Sequence, residues 1–136
     1  MRAVVQRVKK ASVKIQNTSD GDYINGEIDK GLLVFLGITH EDNDKDLDYI
    51  ADKISGLRIF EDEQGKMNLS IDDIKGEILL ISQFTLYGDC RKGRRPGFTD
   101  AARPEIEIPL YEKMIDTLKL KGIKVGVKMS YSNFFF

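Results

Sequence analysis

Gly31-Leu-Leu-Val-Phe-Leu-Gly-Ile38 is the stretch that decides the fold class. It is nearly continuously apolar, which is typical of a strand covered on both faces of a sheet. The apolar residues that follow recur every three or four positions, as on an amphipathic helix: Leu47, Ile50, Ala51, Ile54 and Leu57. Asn43 and Asp44 precede this helix and can accept the free amide hydrogens of its first turn.

Strands are predicted on both sides of this pair, at residues 2–8, 11–15, 57–61, 77–81 and 123–131. A surface turn is expected over residues 16–25, which carry Asn, Ser, Asp and Gly. A second helix is predicted from Pro104 to about Lys121, with an apolar face of Ile106, Leu110, Met114, Ile115 and Leu118. Pro109 lacks an amide hydrogen, so we expect it to displace the start of this helix.

The order of strands, helix, strands, helix and strand is not a strict βαβ alternation. It predicts an α/β protein of the α+β type, a compact layered domain with mixed or antiparallel sheets and two main helices. The chain has 136 residues, which is enough for one domain and too short for two comfortable ones. We therefore expect residues 1–136 to form a single domain.

Composition excludes several kinds of site. The formal net charge is −1, so a nucleic-acid site would have to be a local basic patch. His40 is the single histidine and Cys90 the single cysteine, and their spacing to carboxylates matches no metal site. The sequence has no nucleophile elbow, phosphate loop or dinucleotide fingerprint. We expect no cofactor, no metal and no membrane segment, and a cytoplasmic location.

Two neighbouring features remain as candidates for function. Ser82-Gln-Phe-Thr85 places polar residues at the end of a buried strand, where they either build a site or satisfy backbone groups. Arg91-Lys-Gly-Arg-Arg95 carries four positive charges in five residues, which is either a solvated charge run or a phosphate-binding loop. Tyr87 and Phe98 flank this loop, and aromatic side chains can stack on nucleic-acid bases.

Six blocks of the chain resemble, in the same order, the D-aminoacyl-tRNA deacylases, which are also called D-tyrosyl-tRNA deacylases. These blocks are Met1-Arg-Ala-Val-Val-Gln-Arg-Val8, Gly31-Leu-Leu-Val-Phe-Leu-Gly37, Leu57-Arg-Ile-Phe-Glu-Asp62, Gly65-Lys-Met-Asn68, Ser82-Gln-Phe-Thr-Leu86 and Arg91-Lys-Gly-Arg-Arg-Pro96. The likeness extends from Met1 to about Val125. It implies the fold of that family, a homodimer with sites at the subunit interface, and hydrolysis of the ester between a D-amino acid or glycine and tRNA.

The resemblance also assigns roles to residues. It implies that Ser82, Gln83, Phe84 and Thr85 surround the scissile ester, and that backbone amides, including that of Gln83, hold its carbonyl oxygen while the terminal 2′-hydroxyl assists. It implies substrate contacts from Gln6 and Arg7. Aminoacyl-tRNA is the expected partner, bound at its phosphates by Arg91, Lys92, Arg94 and Arg95. The alternative is a dimer of the same fold that binds RNA ends without turnover.

The carboxyl-terminal sequence departs from the family pattern after about residue 125. Family members continue to Asn-Asp-Gly-Pro, whose Gly-cis-Pro dipeptide excludes L-aminoacyl substrates, and Arg7 helps to hold it. This chain has no Gly-Pro dipeptide and reads Phe134-Phe-Phe136 instead. A truncated or frameshifted product, a divergent member and an inactive relative are the three explanations, and we expect the first.

Overall fold

The structure, a computed structural model, describes residues 1–15 and 23–127. Within these ranges the strands and helices follow one another in the order β1 Arg2–Val8, β2 Ala11–Ile15, β3 Tyr23–Ile28, β4 Gly31–Gly37, α1 Asp44–Gly56, β5 Phe60–Glu61, β6 Met67–Leu69, β7 Glu77–Ser82, α2 Pro104–Leu120 and β8 Lys124–Val127. A 3₁₀ turn, Phe84–Tyr87, directly follows β7.

The main sheet has four strands in the order β1-β4-β7-β8. β1 runs antiparallel to β4, whereas β4, β7 and β8 are mutually parallel. Two small hairpins, β2–β3 and β5–β6, complete the strands of the described chain. The predicted α+β fold with a mixed sheet and two main helices is therefore confirmed.

The hydrophobic core lies between one face of the main sheet and the two helices. Leu32, Val34 and Leu36 of β4 point into it, because alternate residues of a strand share a face. β7 contributes Ile78 and Leu80 to the same side. The helices cover these strands with buried side chains from both elements: Leu47, Ala51, Ile54, Tyr111, Met114 and Leu118.

The opposite face of the sheet is only partly covered. The strand β3 packs against β7 and β8, but it does not extend over β1 and β4. Leu33, Phe35 and Ile81 are therefore half-buried, and Val4 is 51% exposed. The expectation that residues 31–38 are covered on both faces is wrong for the half of the sheet that β1 and β4 form.

The helices begin and end where local chemistry allows. Asn43 caps α1 in a capping box with Asp46, as its position in the sequence predicts. α2 begins at Pro104, as predicted, and continues through Pro109, so the expectation that Pro109 displaces the helix start is wrong. Pro109 lies on the exposed side of α2, where the unpaired carbonyl group one turn earlier can bind water.

Two predicted boundaries also change. Residues 16–22 of the predicted turn lie outside the described residues, and residues 23–25 belong to β3 rather than to a turn. The predicted last strand is present as β8, and residues 128–131 lie outside the described part. No helix of the described residues is long and apolar enough to cross a membrane.

Candidate active site

The carboxyl end of β7 directs Ser82 away from solvent. Ser82 continues the core-facing alternation of Ile78 and Leu80, and it is only 7% exposed. Its hydroxyl group donates a hydrogen bond to Glu107 of α2, which is 9% exposed. The structure therefore places Ser82 on the side of the strand that faces α2, where it contacts a buried carboxyl group.

Gln83 is engaged through its backbone as well as its side chain. Its N–H donates to the carbonyl oxygen of Leu36 at 2.8 Å, which extends the pairing between β4 and β7. This N–H points along the sheet and is not free for a ligand. Strand pairing therefore occupies the donor that the resemblance assigns to the substrate oxygen, and that role of the Gln83 amide stays a prediction.

The 3₁₀ turn presents two other amides. Leu86 and Gly88 donate their N–H groups to Gln83 and Thr85, as a 3₁₀ turn requires. The N–H groups of Phe84 and Thr85 come first in the turn and have no acceptor among the described residues. A pair of successive free donors is suited to an oxygen that carries partial negative charge.

Thr85 has an exposed hydroxyl group, which accepts a hydrogen bond from Nε2 of Gln83. An amide cannot take up a proton from the hydroxyl group, and this hydroxyl group has no other hydrogen-bond partner in the described chain. A threonine nucleophile needs a base, so this arrangement favours a role in orientation over nucleophilic attack.

The basic loop at residues 91–95 is the end of a short hairpin. Asp89 and Gly97 exchange backbone hydrogen bonds of 2.8 and 2.9 Å across its base. Asp89 also binds Nε and Nη2 of Arg91 at 3.0 and 2.9 Å. This side-chain hydrogen bond is the main reason why the pKa of Asp89 falls to about 2.

The other cations of the loop are available to a ligand. Lys92, Arg94 and Arg95 are exposed, and none forms an ion pair within the described residues. Phe98 connects this loop to the 3₁₀ turn, because its ring packs edge-on against Phe84 with centroids 5.2 Å apart. The two regions that the sequence singled out therefore lie side by side.

Arg2 and Arg7 lie at opposite ends of β1. Arg2 donates to the carbonyl oxygen of Leu86 at 2.8 Å and stacks over the ring of Tyr87, so it supports the 3₁₀ turn. Arg7 donates to the carbonyl oxygen of Ile59 at 3.0 Å beside a cavity of about 390 Å³. Five residues of a strand span about 17 Å, so the structure does not bring Arg7 to the turn within one chain.

Gln6 lies on the partly covered face of the sheet, where it pairs with Leu33 of β4. The structure therefore separates Gln6, like Arg7, from the Ser82–Thr85 segment of the same chain. Among the described residues no group of three His, Cys, Asp or Glu side chains is placed to hold a metal ion.

Two acidic residues of this region are absent from the sequence-based prediction. Asp89 could have been found, because an aspartate two residues before an arginine in a turn is well placed to pair with it. Glu107 also left a signal, since it lies four residues before Tyr111 on a helix face that continues with Met114 and Leu118. Of the predicted apolar face, Met114 and Leu118 are buried, whereas Ile106 and Leu110 are only half-buried.

Comparison with known proteins gives one consistent result. The family model described as D-Tyr-tRNA(Tyr) deacylase matches residues 4–133. A D-aminoacyl-tRNA deacylase of Clostridioides difficile (strain 630) is 59% identical over 126 residues, which cover 93% of this chain and 81% of the relative. One from Thermotoga petrophila (strain ATCC BAA-488 / DSM 13995 / JCM 10881 / RKU-1) is 55% identical over 92% of this chain and 80% of the relative.

Solved structures share the fold. A structure titled c-Myc DNA Unwinding Element Binding Protein superposes with a TM-score of 0.79 at 40% identity. The match covers 92% of this chain and 83% of the other chain. A probable eukaryotic D-amino acid tRNA deacylase has a TM-score of 0.72 at 17% identity, covering 89% and 68% of the two chains. At that identity the second likeness concerns the fold alone.

Proposed function

Because the chain belongs to the D-Tyr-tRNA(Tyr) deacylase family, we propose that it hydrolyses the ester between a D-amino acid or glycine and tRNA. The products are the free amino acid and the free tRNA. The observation that carries this function is the 59% identity to a D-aminoacyl-tRNA deacylase over 93% of the chain. The alternative, an RNA-end-binding dimer without turnover, is not favoured by relatives that are named as deacylases.

The free amides at the start of the 3₁₀ turn hold the ester carbonyl oxygen in this proposal. Phe84 and Thr85 take the role that the sequence assigned to Gln83, since their N–H groups have no acceptor in the described chain. An aminoacyl ester is already activated, and one such donor typically contributes ~3 kcal/mol to stabilising the transition state. The terminal 2′-hydroxyl of the RNA assists the attack of water, which requires no histidine.

The neighbouring side chains keep these amides in place. Gln83 holds the hydroxyl group of Thr85, and Phe84 packs on Phe98 at the base of the basic loop. Ser82 acts from the core side through Glu107. The four residues of the segment thus contribute to catalysis by positioning and by backbone donors.

The basic loop binds the tRNA backbone. Lys92, Arg94 and Arg95 contact phosphates directly, because no carboxylate of the described residues neutralises them. Arg91 contributes charge to the same surface while its pair with Asp89 shapes the loop. Contacts of this kind carry little sequence information and weaken as salt rises.

The functional unit is a homodimer in the cytoplasm. Support for the dimer comes from the open sheet face, where Val4, Leu33, Phe35 and Ile81 form a contiguous apolar row on β1, β4 and β7. Gln83 leaves β7 on this same face, so a second subunit would border the turn. Gln6 and Arg7 then contact substrate from the partner subunit.

A release assay tests the function. Purified protein is incubated with D-Tyr-tRNA, L-Tyr-tRNA and glycyl-tRNA, and the free amino acid is measured over time. We expect release from the D-aminoacyl and glycyl substrates well above the spontaneous rate. Binding of tRNA without release would replace the enzyme by the RNA-end-binding alternative. The reaction with L-Tyr-tRNA measures how well the protein discriminates between D- and L-aminoacyl substrates, since its sequence contains no Gly-Pro dipeptide.

A further inference from the structure

Two hydrogen bonds tie the end of β7 to helix α2. Tyr111 donates its hydroxyl group to the carbonyl oxygen of Leu80 at 2.6 Å, and Ser82 donates its hydroxyl group to Glu107. Leu80 and Ser82 share one face of the strand, whereas Glu107 and Tyr111 lie one turn apart on the helix. The bonds therefore form side by side and fix the last residues of β7.

A carboxyl group is an unexpected choice at this position. The buried residues that continue the same face of α2 are Tyr111, Met114 and Leu118. Burial raises the pKa of Glu107 above its ordinary value, and the hydrogen bond from Ser82 opposes this rise. An apolar side chain would avoid the cost of desolvation, so the carboxyl group serves a purpose other than packing.

The pair connects directly to the free amides. Ser82 is followed by Gln83, which is held at its N–H by Leu36 and which holds the hydroxyl group of Thr85. The 3₁₀ turn begins at the next residue. The place of Ser82 therefore sets where the N–H groups of Phe84 and Thr85 start and in which direction they point.

We propose that Glu107 is a positioning residue, which fixes Ser82 through a buried hydrogen bond and thereby aims the free amides of the 3₁₀ turn at the substrate oxygen. The inference rests on the proposed function, because it assumes that these amides hold the ester. Oxyanion donors act only when they are well aligned, and a misplacement of about 1 Å can cost on the order of 100-fold in rate.

Kinetics of three variants test the proposal. Glu107→Leu removes the acceptor for Ser82, and we expect a fall in kcat of about tenfold or more with KM within about twofold, because the loss is confined to the transition state. Glu107→Gln retains an acceptor oxygen and should stay within about threefold of the parent kcat. Glu105→Leu, at an exposed position in the same turn of α2, is the matched control and should leave both constants unchanged.

Hydrogen exchange gives a second readout that does not depend on turnover. The amides of Gln83, Leu86 and Gly88 are hydrogen-bonded, and we expect them to exchange faster in Glu107→Leu and in Ser82→Ala than in the parent or in Glu107→Gln. If Glu107→Leu does not fold, Ser82→Ala supplies the same comparison.

The outcomes separate the two proposals. Unchanged kcat and unchanged exchange in Glu107→Leu would overturn the positioning role, and so would equal impairment of Glu107→Gln and Glu107→Leu. If the parent protein releases no amino acid while exchange at the turn still depends on Glu107, the proposed function fails, and with it the catalytic purpose of Glu107, whereas its hold on the 3₁₀ turn stands.

Discussion

Asp89 separates the basic loop into a paired cation, Arg91, and cations that have no carboxylate partner among the described residues. It binds the guanidinium group of Arg91 through two side-chain hydrogen bonds and also accepts the Arg91 backbone N–H at 3.0 Å. Because its pKa is about 2, Asp89 stays ionised over the whole working range of pH. Arg91 is therefore held in place, and the neighbouring cations keep their charges for a ligand.

Substitutions in the loop should separate these roles. Arg94→Ala is expected to weaken tRNA binding for all sequences alike. The slope of the logarithm of the binding constant against the logarithm of the salt concentration should fall by roughly the amount that one phosphate contact contributes. Arg91→Ala should change the salt dependence less, since its charge is already compensated by Asp89. Binding is measured by titration at several salt concentrations, with Lys119→Ala on α2 as the control. Equal effects of Arg91→Ala and Arg94→Ala would contradict the division.

Thr85 is expected to be dispensable for the bond-breaking step. Its hydroxyl group contacts only an amide in the described chain, and no base is placed to activate it. Thr85→Ala should therefore retain deacylation within about tenfold, because one neutral hydrogen bond contributes roughly 1 kcal/mol. Single-turnover rates on D-Tyr-tRNA measure the effect, and circular dichroism checks the fold. Near-complete loss in a folded variant would restore Thr85 as the nucleophile.

Glu107 gives stability a defined pH dependence. Its pKa in the folded chain lies above the ordinary value of 4.5, mainly because of burial. The folded state thus binds the proton more tightly, and stability is lost as pH rises from about 4.5 through the folded pKa. Glu107→Gln cannot ionise, so its free energy of unfolding should exceed that of the parent at pH 7, by a margin that shrinks towards pH 4. Urea unfolding between pH 4 and 8 measures both proteins, and parallel curves would refute the assignment.

At the scale of elements, helix α1 depends on its first turn. Asn43 accepts hydrogen bonds from the N–H groups of Lys45 and Asp46, and the Asp46 carboxylate accepts the N–H of Asn43. Acidic residues in this turn also interact favourably with the positive end of the helix dipole.

Removal of the cap should destabilise the whole domain, because α1 covers the core. Asn43→Ala is expected to lower the free energy of unfolding by about 1 kcal/mol. Asp48→Ala, on the exposed side of the same helix, is the matched control and should stay within about 0.5 kcal/mol of the parent. Both values come from urea titrations at one pH. Equal changes in the two variants would show that the cap contributes no more than an ordinary surface residue.

At the scale of the molecule, the open sheet face is where the proposed dimer would form. Val4 is 51% exposed at the β1 end of the apolar row that β1, β4 and β7 form. We expect the parent protein to sediment as a dimer and Val4→Asp to sediment as a monomer, since an unpaired charge in an apolar interface is strongly unfavourable. Met67→Asp is the control, because Met67 is 63% exposed on the separate β5–β6 hairpin. A monomeric parent or a dimeric Val4→Asp would contradict this interface.

The sequence was sufficient for the elements whose causes are local. The apolar run at residues 31–38, the three- and four-residue spacing in α1 and the cap at Asn43 each act within one turn or strand. The structure therefore confirms strand β4, helix α1 and its cap, although one face of β4 is only partly covered. β3 was missed because its polar residues resemble a turn, and they form a strand only when paired with β2. The start of α2 at Pro104 was predicted correctly, but the tolerance of Pro109 inside the helix was not, because its exposure depends on how the helix packs.

The sequence by itself determined the family and the α+β class, because patterns of residue type along the chain are sufficient for these. It also singled out residues 82–85 and 91–95 as candidates for the site. Only the tertiary structure decided which donors are free. The N–H of Gln83 donates to Leu36 in strand pairing. The packing of α2 places Glu107 against the hydroxyl group of Ser82, and the hairpin brings Arg91 into an ion pair with Asp89. Each of these outcomes depends on a partner that the fold brings close in space, and a hydrogen-bond donor can serve a substrate only if the fold has not already given it an acceptor.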